Sequence, residues 1–140
     1  MPTPVLVLLV LKEISVKILL LDDDEYVLKF MKCALLQLGH AVHCTSEATK
    51  AIRTIEWGGY DFALIDYLMP IHDGVWFMTH ARIPSTTKVL LMTGYVSREI
   101  ITTMFRLGAR GYLIKPIEKD EIERHLAFHS SHRPEGLRVA

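Results

Sequence analysis

The sequence predicts an α/β protein built on a parallel sheet with helices on both faces. Five short apolar runs alternate with stretches of helical periodicity, and they lie near 17–21, 41–45, 62–66, 88–92 and 111–114. Each run is apolar at consecutive positions, as expected of parallel strands that are buried on both sides. Right-handed crossovers between such βα units place helices on both faces of one sheet.

Helical periodicity between the runs predicts five helices. In the first gap apolar residues recur at helical spacing before Gly39, which is expected to end the helix. These residues are Val27, Phe30, Met31, Ala34, Leu35 and Leu38. The second helix is expected to begin with Ser46 as its N-cap, and the third to cover 74–82. The last two helices begin near Ser97 and after Pro116.

The length, charge and cysteine content of the chain fit one domain of this class. A chain of 140 residues buries roughly two thirds of its unfolded surface. Lys and Arg number 16, as do Asp and Glu, so binding to nucleic acid or to a membrane surface is not expected as the main activity. Cys33 and Cys44 have no metal-ligand spacing and are expected to be reduced thiols in a cytoplasmic protein. We expect Trp57 and Trp76 to pack against the sheet.

The two ends of the chain differ in composition from the part between them. Residues 1–14 form an apolar N-terminal extension of unknown role, whose run of Val and Leu over 5–11 is far shorter than the roughly 20 residues of a membrane span. The domain is expected to occupy 15–129. Residues 130–140 are polar and are interpreted as a tail or a linker stub.

Polar residues suited to handling phosphate follow four of the predicted strands. Asp22 and Asp23 follow the first, Asp66 ends the third, Thr93 follows the fourth and Lys115 follows the fifth. The carboxyl ends of neighbouring parallel strands converge on one crevice. We therefore expect these side chains to share one site that holds a divalent cation and a phosphoryl group.

The acidic residues after the first strand exceed what a helix cap requires. Asp24 and Glu25 suffice to cap the next helix and to suit its positive end. Asp22 and Asp23 would lie beside Asp66, and two like charges about 4 Å apart cost on the order of 4 kcal/mol at an effective dielectric constant near 20. Such a cluster requires a cation, and oxygen-only ligands favour Mg²⁺ over zinc.

The remaining site residues fit phosphoryl transfer. The loop over 66–74 is rich in Pro, Asp and Gly, and it can turn the backbone carbonyl of Leu68 toward a metal. The ammonium group of Lys115 can pair with the acids when phosphate is absent and with phosphoryl oxygens when it is present. The hydroxyl of Thr93 can donate a hydrogen bond to the same group, so the set supplies positioning and charge neutralisation.

Over about 16–128 the chain resembles the receiver domains of two-component response regulators. The markers that carry the resemblance occur in order along the chain: Leu21-Asp22-Asp23, Asp66, Met69-Pro70, Asp73-Gly74, Thr93, Tyr112 and Lys115-Pro116. The resemblance implies a flavodoxin-like, doubly wound sheet of five strands in the order 2-1-3-4-5, with five helices. One departure is Gly94, where the family usually has Ala.

The resemblance also implies a signalling switch. Asp66 would take a phosphoryl group from a sensor histidine kinase, a histidine phosphotransfer protein or a small acyl phosphate. Asp22 and Asp23 would bind Mg²⁺, or Mn²⁺ in its place, and the Lys115–Pro116 peptide bond would be cis. Thr93 and Tyr112 would then reshape the surface of the fourth helix, fifth strand and fifth helix for an output partner. Independently of the resemblance, the apolar side of the fourth helix over 100–107 suggests a phosphorylation-dependent homodimer as a hypothesis. Beyond self-phosphorylation and autodephosphorylation no enzymatic activity is expected.

Two other functions are open at this point. The run Asp22-Asp23-Asp24 also fits aspartate-nucleophile phosphatases of the haloacid dehalogenase type, with Asp22 as nucleophile and Asp24 as general acid. That interpretation leaves Asp66 without a role, and Tyr26 stands where a small β-branched residue is usual. The other alternative is a domain of the receiver fold that is not phosphorylated and serves only for docking.

Overall fold

The computed structural model describes residues 15–131. The extension predicted for 1–14 and nearly all of the tail predicted for 130–140 lie outside the described residues. The strands are β1 (Lys17–Leu21), β2 (Ala41–Thr45), β3 (Phe62–Asp66), β4 (Lys88–Thr93) and β5 (Gly111–Ile114). The helices are α1 (Glu25–Gln37), α2 (Ala48–Trp57), α3 (Gly74–His80), α4 (Arg98–Arg106) and α5 (Lys119–Ser131).

The five strands form one parallel sheet in the order β2-β1-β3-β4-β5, which confirms the predicted flavodoxin-like fold. The register aligns the carboxyl ends of the four strands that carry the predicted site. Leu21 lies opposite Ile65, Asp66 lies opposite Met92, and Thr93 lies opposite Ile114. The polar residues that end or follow these strands therefore lie along one edge of the sheet.

The sheet separates two apolar layers, and alternate residues of each strand point into opposite layers. Leu19 and Leu21 of β1 pack with α2, α3 and α4, whereas Ile18 and Leu20 pack with α1 and α5. All five residues of β3 are buried. Each fully buried Leu or Ile contributes about 1.5–3 kcal/mol to folding, so the central strands provide a rigid base for the residues at their carboxyl ends.

The observed helix ends match the predicted ones at α1 and α4 and differ from them at α2 and α3. Asp24 caps α1 and Ser97 caps α4, as predicted. The prediction of Ser46 as the cap of α2 was wrong by one residue. Glu47 occupies that position without a side-chain cap, and its N–H donates to the hydroxyl of Thr45 instead. Helix α3 ends at His80, two residues earlier than predicted, because the next residue is extended.

Two aromatic residues that were expected in the core are exposed. Trp57 is 89% exposed at the end of α2, and Phe30 is 51% exposed on α1. Trp76 does pack against the core, and its ring is stacked between those of His72 and His80. Among residues 15–131, each helix is too short or too polar to cross a lipid bilayer.

Candidate functional site

Three carboxylates meet at the carboxyl ends of β1 and β3. Oxygen atoms of Asp22, Asp23 and Asp66 all lie within 4.8 Å of one another. The side chains of Asp22 and Asp66 are buried, whereas that of Asp23 is exposed. The set contains only oxygen donors, with one open side toward solvent, and this is the ligand type that hard divalent cations such as Mg²⁺ prefer.

Lys115 reaches this cluster from the end of β5. Its Nζ lies 2.6 Å from Oδ2 of Asp22 and 3.3 Å from Oδ1 of Asp66. The peptide bond between Lys115 and Pro116 is cis. Burial lowers the pKa of the ammonium group, but the hydrogen bond to Asp22 and the charges of Asp66 and Asp22 outweigh it and raise the pKa above its usual value. The contacts with Asp22 and Asp66 therefore favour the charged form of Lys115.

The carboxyl group of Asp66 is poised between its protonated and ionised forms. Burial, together with the nearby charge of Asp22, raises its pKa to about 7, although Lys115 acts in the opposite direction. Two buried carboxyl groups share one ammonium group here, and the carboxylate of Asp23 lies close to both of them, so the cluster carries excess negative charge. A bound cation would favour the ionised form of Asp66, which is the nucleophilic one.

Asp22 is held by backbone contacts at the end of β1. Its N–H donates to the carbonyl of Thr45, and its Oδ1 accepts a hydrogen bond from the N–H of Asp24 at 2.9 Å. The carboxylate of Asp24 is turned away, toward the N–H groups of Tyr26 and Val27. The local turn thus separates a site residue from a cap residue within three consecutive aspartates.

The loop between β3 and α3 carries the backbone away from Asp66. Leu68 lies in this loop with its side chain 57% exposed. At the loop tip the N–H of His72 donates to the carbonyl of Pro70 at 2.8 Å, and Ile71 between them has φ of 71°. This is a γ-turn of the rare, strained type. The side chain of Ile71 is 95% exposed.

Thr93 is buried beside the cluster, but its hydroxyl is engaged within its own loop. It donates to the carbonyl of Tyr95 at 2.8 Å and accepts a hydrogen bond from the N–H of the same residue at 3.2 Å. Tyr112 on β5 is half-buried, and its ring packs edge-to-face on Phe105 of α4 with the centroids 6.4 Å apart. The side chain of Tyr112 thus contacts α4.

The structure contains a groove next to Lys115 that the sequence pattern does not predict. It has a volume of about 590 Å³ and lies between α1 and the segment after β5. Its lining includes Tyr26, which is 87% exposed, and Phe30. Both aromatic rings lie on one face of α1 because they are four residues apart. The four-residue spacing of these two aromatic residues is visible in the sequence, but the helical pattern predicts a core-facing position for Phe30.

The chain belongs to the response regulator receiver domain family, whose model matches residues 18–127. It is similar to the regulatory protein AtoC of Escherichia coli (strain K12), with 33% identity over 107 residues that cover 76% of this chain and 23% of the relative. It is also similar to the transcription factor SKN7 of Candida albicans, with 30% identity over 80% of this chain and 20% of the relative. The chain thus spans about a fifth of the length of these curated relatives.

Solved structures show the same fold. The chemotaxis protein CheY4 of Vibrio cholerae superposes with a TM-score of 0.77 at 24% identity, over 82% of this chain and 98% of that one. The receiver domain of a sensor histidine kinase from Pseudomonas aeruginosa PAO1, solved with a magnesium ion coordinated in its active-site cleft, superposes with a TM-score of 0.73 at 23% identity. That match covers 82% of this chain and 97% of that one.

Proposed function

We propose that this receiver domain accepts a phosphoryl group on Asp66 in a Mg²⁺-dependent reaction. The observation that carries the proposal is the position of the buried Asp66 carboxylate within one cluster with Asp22 and Lys115. One side chain of the cluster supplies a nucleophile, and the others supply metal ligands and a fixed positive charge. The proposed domain covers 15–129, including the segments that carry all of these residues.

The cluster fits a divalent metal ion. Carboxylate oxygens of Asp22, Asp23 and Asp66 converge, and the backbone carbonyl of Leu68 is proposed as a further ligand. Mg²⁺, or Mn²⁺ in its place, would offset the negative charge of the phosphoryl oxygens when bound. The magnesium ion in the Pseudomonas aeruginosa receiver domain supports the same assignment here.

Asp66 acts as the nucleophile. An oxygen of its carboxylate forms a bond to phosphorus as the bond from phosphorus to the donor breaks, and the donor keeps the electron pair of that bond. With a phosphohistidine donor the electron pair stays on the ring nitrogen, and the released imidazolate takes up a proton from water to give neutral imidazole. Lys115, which lies 3.3 Å from Asp66, is close enough to pair with an oxygen of the transferred group. The product is an aspartyl phosphate.

Thr93 and Tyr112 act as the switch. To donate to the phosphoryl group, the hydroxyl of Thr93 must give up its bond to the carbonyl of Tyr95. A neutral hydrogen bond of this kind contributes about 1 kcal/mol, whereas a bond to a charged oxygen is about twice as strong. The exchange is therefore favourable, and it changes the loop that leads into α4. Tyr112, whose ring packs on Phe105 of α4, carries the change to the surface of α4, β5 and α5.

The partners follow from this chemistry. A sensor histidine kinase or a histidine phosphotransfer protein is the proposed donor, and the exposed Tyr26 beside Lys115 gives such a partner an apolar surface next to the site. The switched face would contact an output domain, a target protein or a second copy of the domain. No catalytic activity beyond self-phosphorylation and autodephosphorylation is proposed, and the proposed location is the cytoplasm.

Intact-mass measurement after incubation with acetyl phosphate and Mg²⁺ tests the proposal. The wild type should gain one phosphoryl group, and Asp66→Asn should gain none. Asp120→Asn is the matched control because Asp120 is an exposed carboxylate on α5. Equal incorporation by Asp66→Asn and wild type would contradict the assignment. It would favour the phosphatase alternative, which the present structure disfavours because Asp24 is occupied as a helix cap.

A further inference from the structure

The backbone just after Asp66 is held from two sides. The N–H of Tyr67 donates to the carbonyl of Met92 at 2.7 Å, which extends the pairing of β3 and β4 past the end of β3. The carbonyl of Tyr67 accepts a hydrogen bond from the N–H of Gly74 at 2.9 Å, which closes the loop onto the start of α3. Tyr67, the residue that follows Asp66, is thus held between β4 and α3.

The contact at Gly74 is closer than a side chain would allow. A Cβ at this position would lie 2.8 Å from Cα of Tyr67, 3.0 Å from the carbonyl oxygen of Asp66 and 3.2 Å from that of Tyr67. Carbon atoms in contact normally lie about 3.5–4.0 Å apart. All three neighbours are backbone atoms, so no change of rotamer can relieve the overlap. Gly74 is required for space, since its φ lies outside the positive range.

We propose that Gly74 is a positioning residue for the phosphoacceptor. Because Gly74 has no side chain, α3 closes directly on the peptide between Asp66 and Tyr67, and this contact sets the distance of the Asp66 carboxylate from Asp22 and Lys115. A side chain at position 74 would push that peptide by several tenths of an ångström, and the movement would reach the carboxylate because Asp66 is packed in a buried site. The inference rests on the proposed function of Asp66.

The chain offers two matched controls for a Gly74→Ala substitution. Gly94 lies in the loop after Thr93, where an added Cβ has no neighbour within 4 Å. Gly94→Ala therefore adds the same methyl group near the site without an overlap. Gly58 follows α2 and accepts a hydrogen bond from Lys17 at the amino end of β1, whereas the cluster lies at the carboxyl ends of the strands, and a Cβ at Gly58 would overlap the ring of Tyr60. Gly58→Ala is a control for lowered stability with an unchanged site.

Three measurements are made at a temperature at which unfolding curves show all the proteins to be folded. Calorimetric titration gives the affinity for Mg²⁺, intact mass gives the rate of phosphorylation by acetyl phosphate, and metal-free crystal structures give the distance from Lys115 Nζ to Asp66. Gly74→Ala should lose at least about tenfold in affinity and in rate, with a changed distance. Both controls should stay within about threefold of the wild type.

Three outcomes would contradict the positioning role of Gly74, and a fourth would contradict the proposed function of Asp66. Affinity and rate for Gly74→Ala within about threefold of the wild type would overturn the inference, as would an equal loss in Gly58→Ala. A Gly74→Ala protein that does not fold would also overturn it, because Gly74 would then support the whole domain. If the wild type itself neither binds Mg²⁺ nor accepts phosphate, the proposed function fails. The inference about Gly74 is then still decided by the distance from Lys115 to Asp66 in the crystals.

Discussion

The ends of β3 and β4 lie side by side in the sheet, yet they are held in opposite ways. Asp66 at the end of β3 is paired with Lys115, and the next residue, Tyr67, is hydrogen-bonded to both Met92 and Gly74. The hydroxyl of Thr93 at the end of β4 bonds to Tyr95 in its own loop, next to a glycine whose surroundings are open. The proposed phosphoacceptor is thus held by contacts from other elements of the fold, whereas the hydroxyl of the proposed reporter is bonded only to the loop that follows it.

The largest effect is expected from the ionisation of Asp66, at the fixed end of β3. Its pKa is raised from 3.8 to about 7 by folding, so the carboxyl group stabilises the metal-free protein below about pH 4 and this stability is lost as the pH rises through 7. Asp66→Asn has no ionisable carboxyl group at this position, so its stability should not fall for this reason as the pH rises. The variant should therefore gain roughly 2–4 kcal/mol relative to the wild type between pH 4 and pH 8, as measured by urea unfolding without metal.

The same ionisation sets the pH dependence of metal binding. Protons compete with Mg²⁺ for Asp66, so the affinity of the wild type should rise from pH 6 to pH 7 and level off above pH 8. Stability curves for wild type and Asp66→Asn that run parallel from pH 4 to pH 8 would contradict the raised pKa.

The next effect concerns Lys115, the cation that the two buried acids share. Lys115→Met leaves Asp22 and Asp66 without their partner, and we expect a loss of about 2 kcal/mol or more in the metal-free protein at pH 8. Added Mg²⁺ should restore most of this stability, and the rate of phosphorylation should fall. The control is Lys50→Met, which breaks an exposed pair with Glu47 and should cost less than about 0.5 kcal/mol. Equal losses of stability in the two variants would show that the buried ion pairs of Lys115 contribute no more than the exposed pair of Lys50.

A smaller effect is expected at the free end of β4. Thr93→Val removes both bonds to Tyr95 and should cost about 1 kcal/mol, while phosphorylation of Asp66 stays within about threefold of the wild type. The amide chemical shifts of α4 and β5 should no longer respond to beryllofluoride and Mg²⁺. Thr87→Val is the matched control, since Thr87 is also buried and donates to the carbonyl of Tyr60, away from the site. A full response in Thr93→Val would remove Thr93 from the switch.

The smallest effect on stability is expected at the strained tip of the loop after β3. Ile71 has φ of 71° and an exposed side chain, so Ile71→Gly should relieve strain and stabilise the protein by about 0.5–1 kcal/mol. The affinity for Mg²⁺ should not change, because the contact at Gly74 does not involve the tip. A large change in affinity would show that the tip also holds Asp66 in place.

The sequence alone was sufficient to predict the fold and the proximity of Asp22, Asp66 and Lys115. Consecutive apolar positions identify buried strands such as β3 whatever surrounds them, because burial on both faces leaves no polar position. Asp22, Asp66 and Lys115 each end or follow such a strand, so their convergence needed only the geometry of a parallel sheet. Errors arose where apolar residues lie on the surface: helical spacing placed Phe30 in the core, although it lines a groove beside Lys115.

Only the tertiary structure decided how the site residues are held. Lys115 lies nearer to Asp22 than to Asp66, and the raised pKa of Asp66 arises from burial and from a neighbour 44 residues away in the chain. Gly74 is marked in the sequence as a turn residue, but the reason for a glycine there is the approach of α3 to the backbone of Asp66. These properties depend on distances between elements that are remote in sequence, and such distances exist only once the layers have packed.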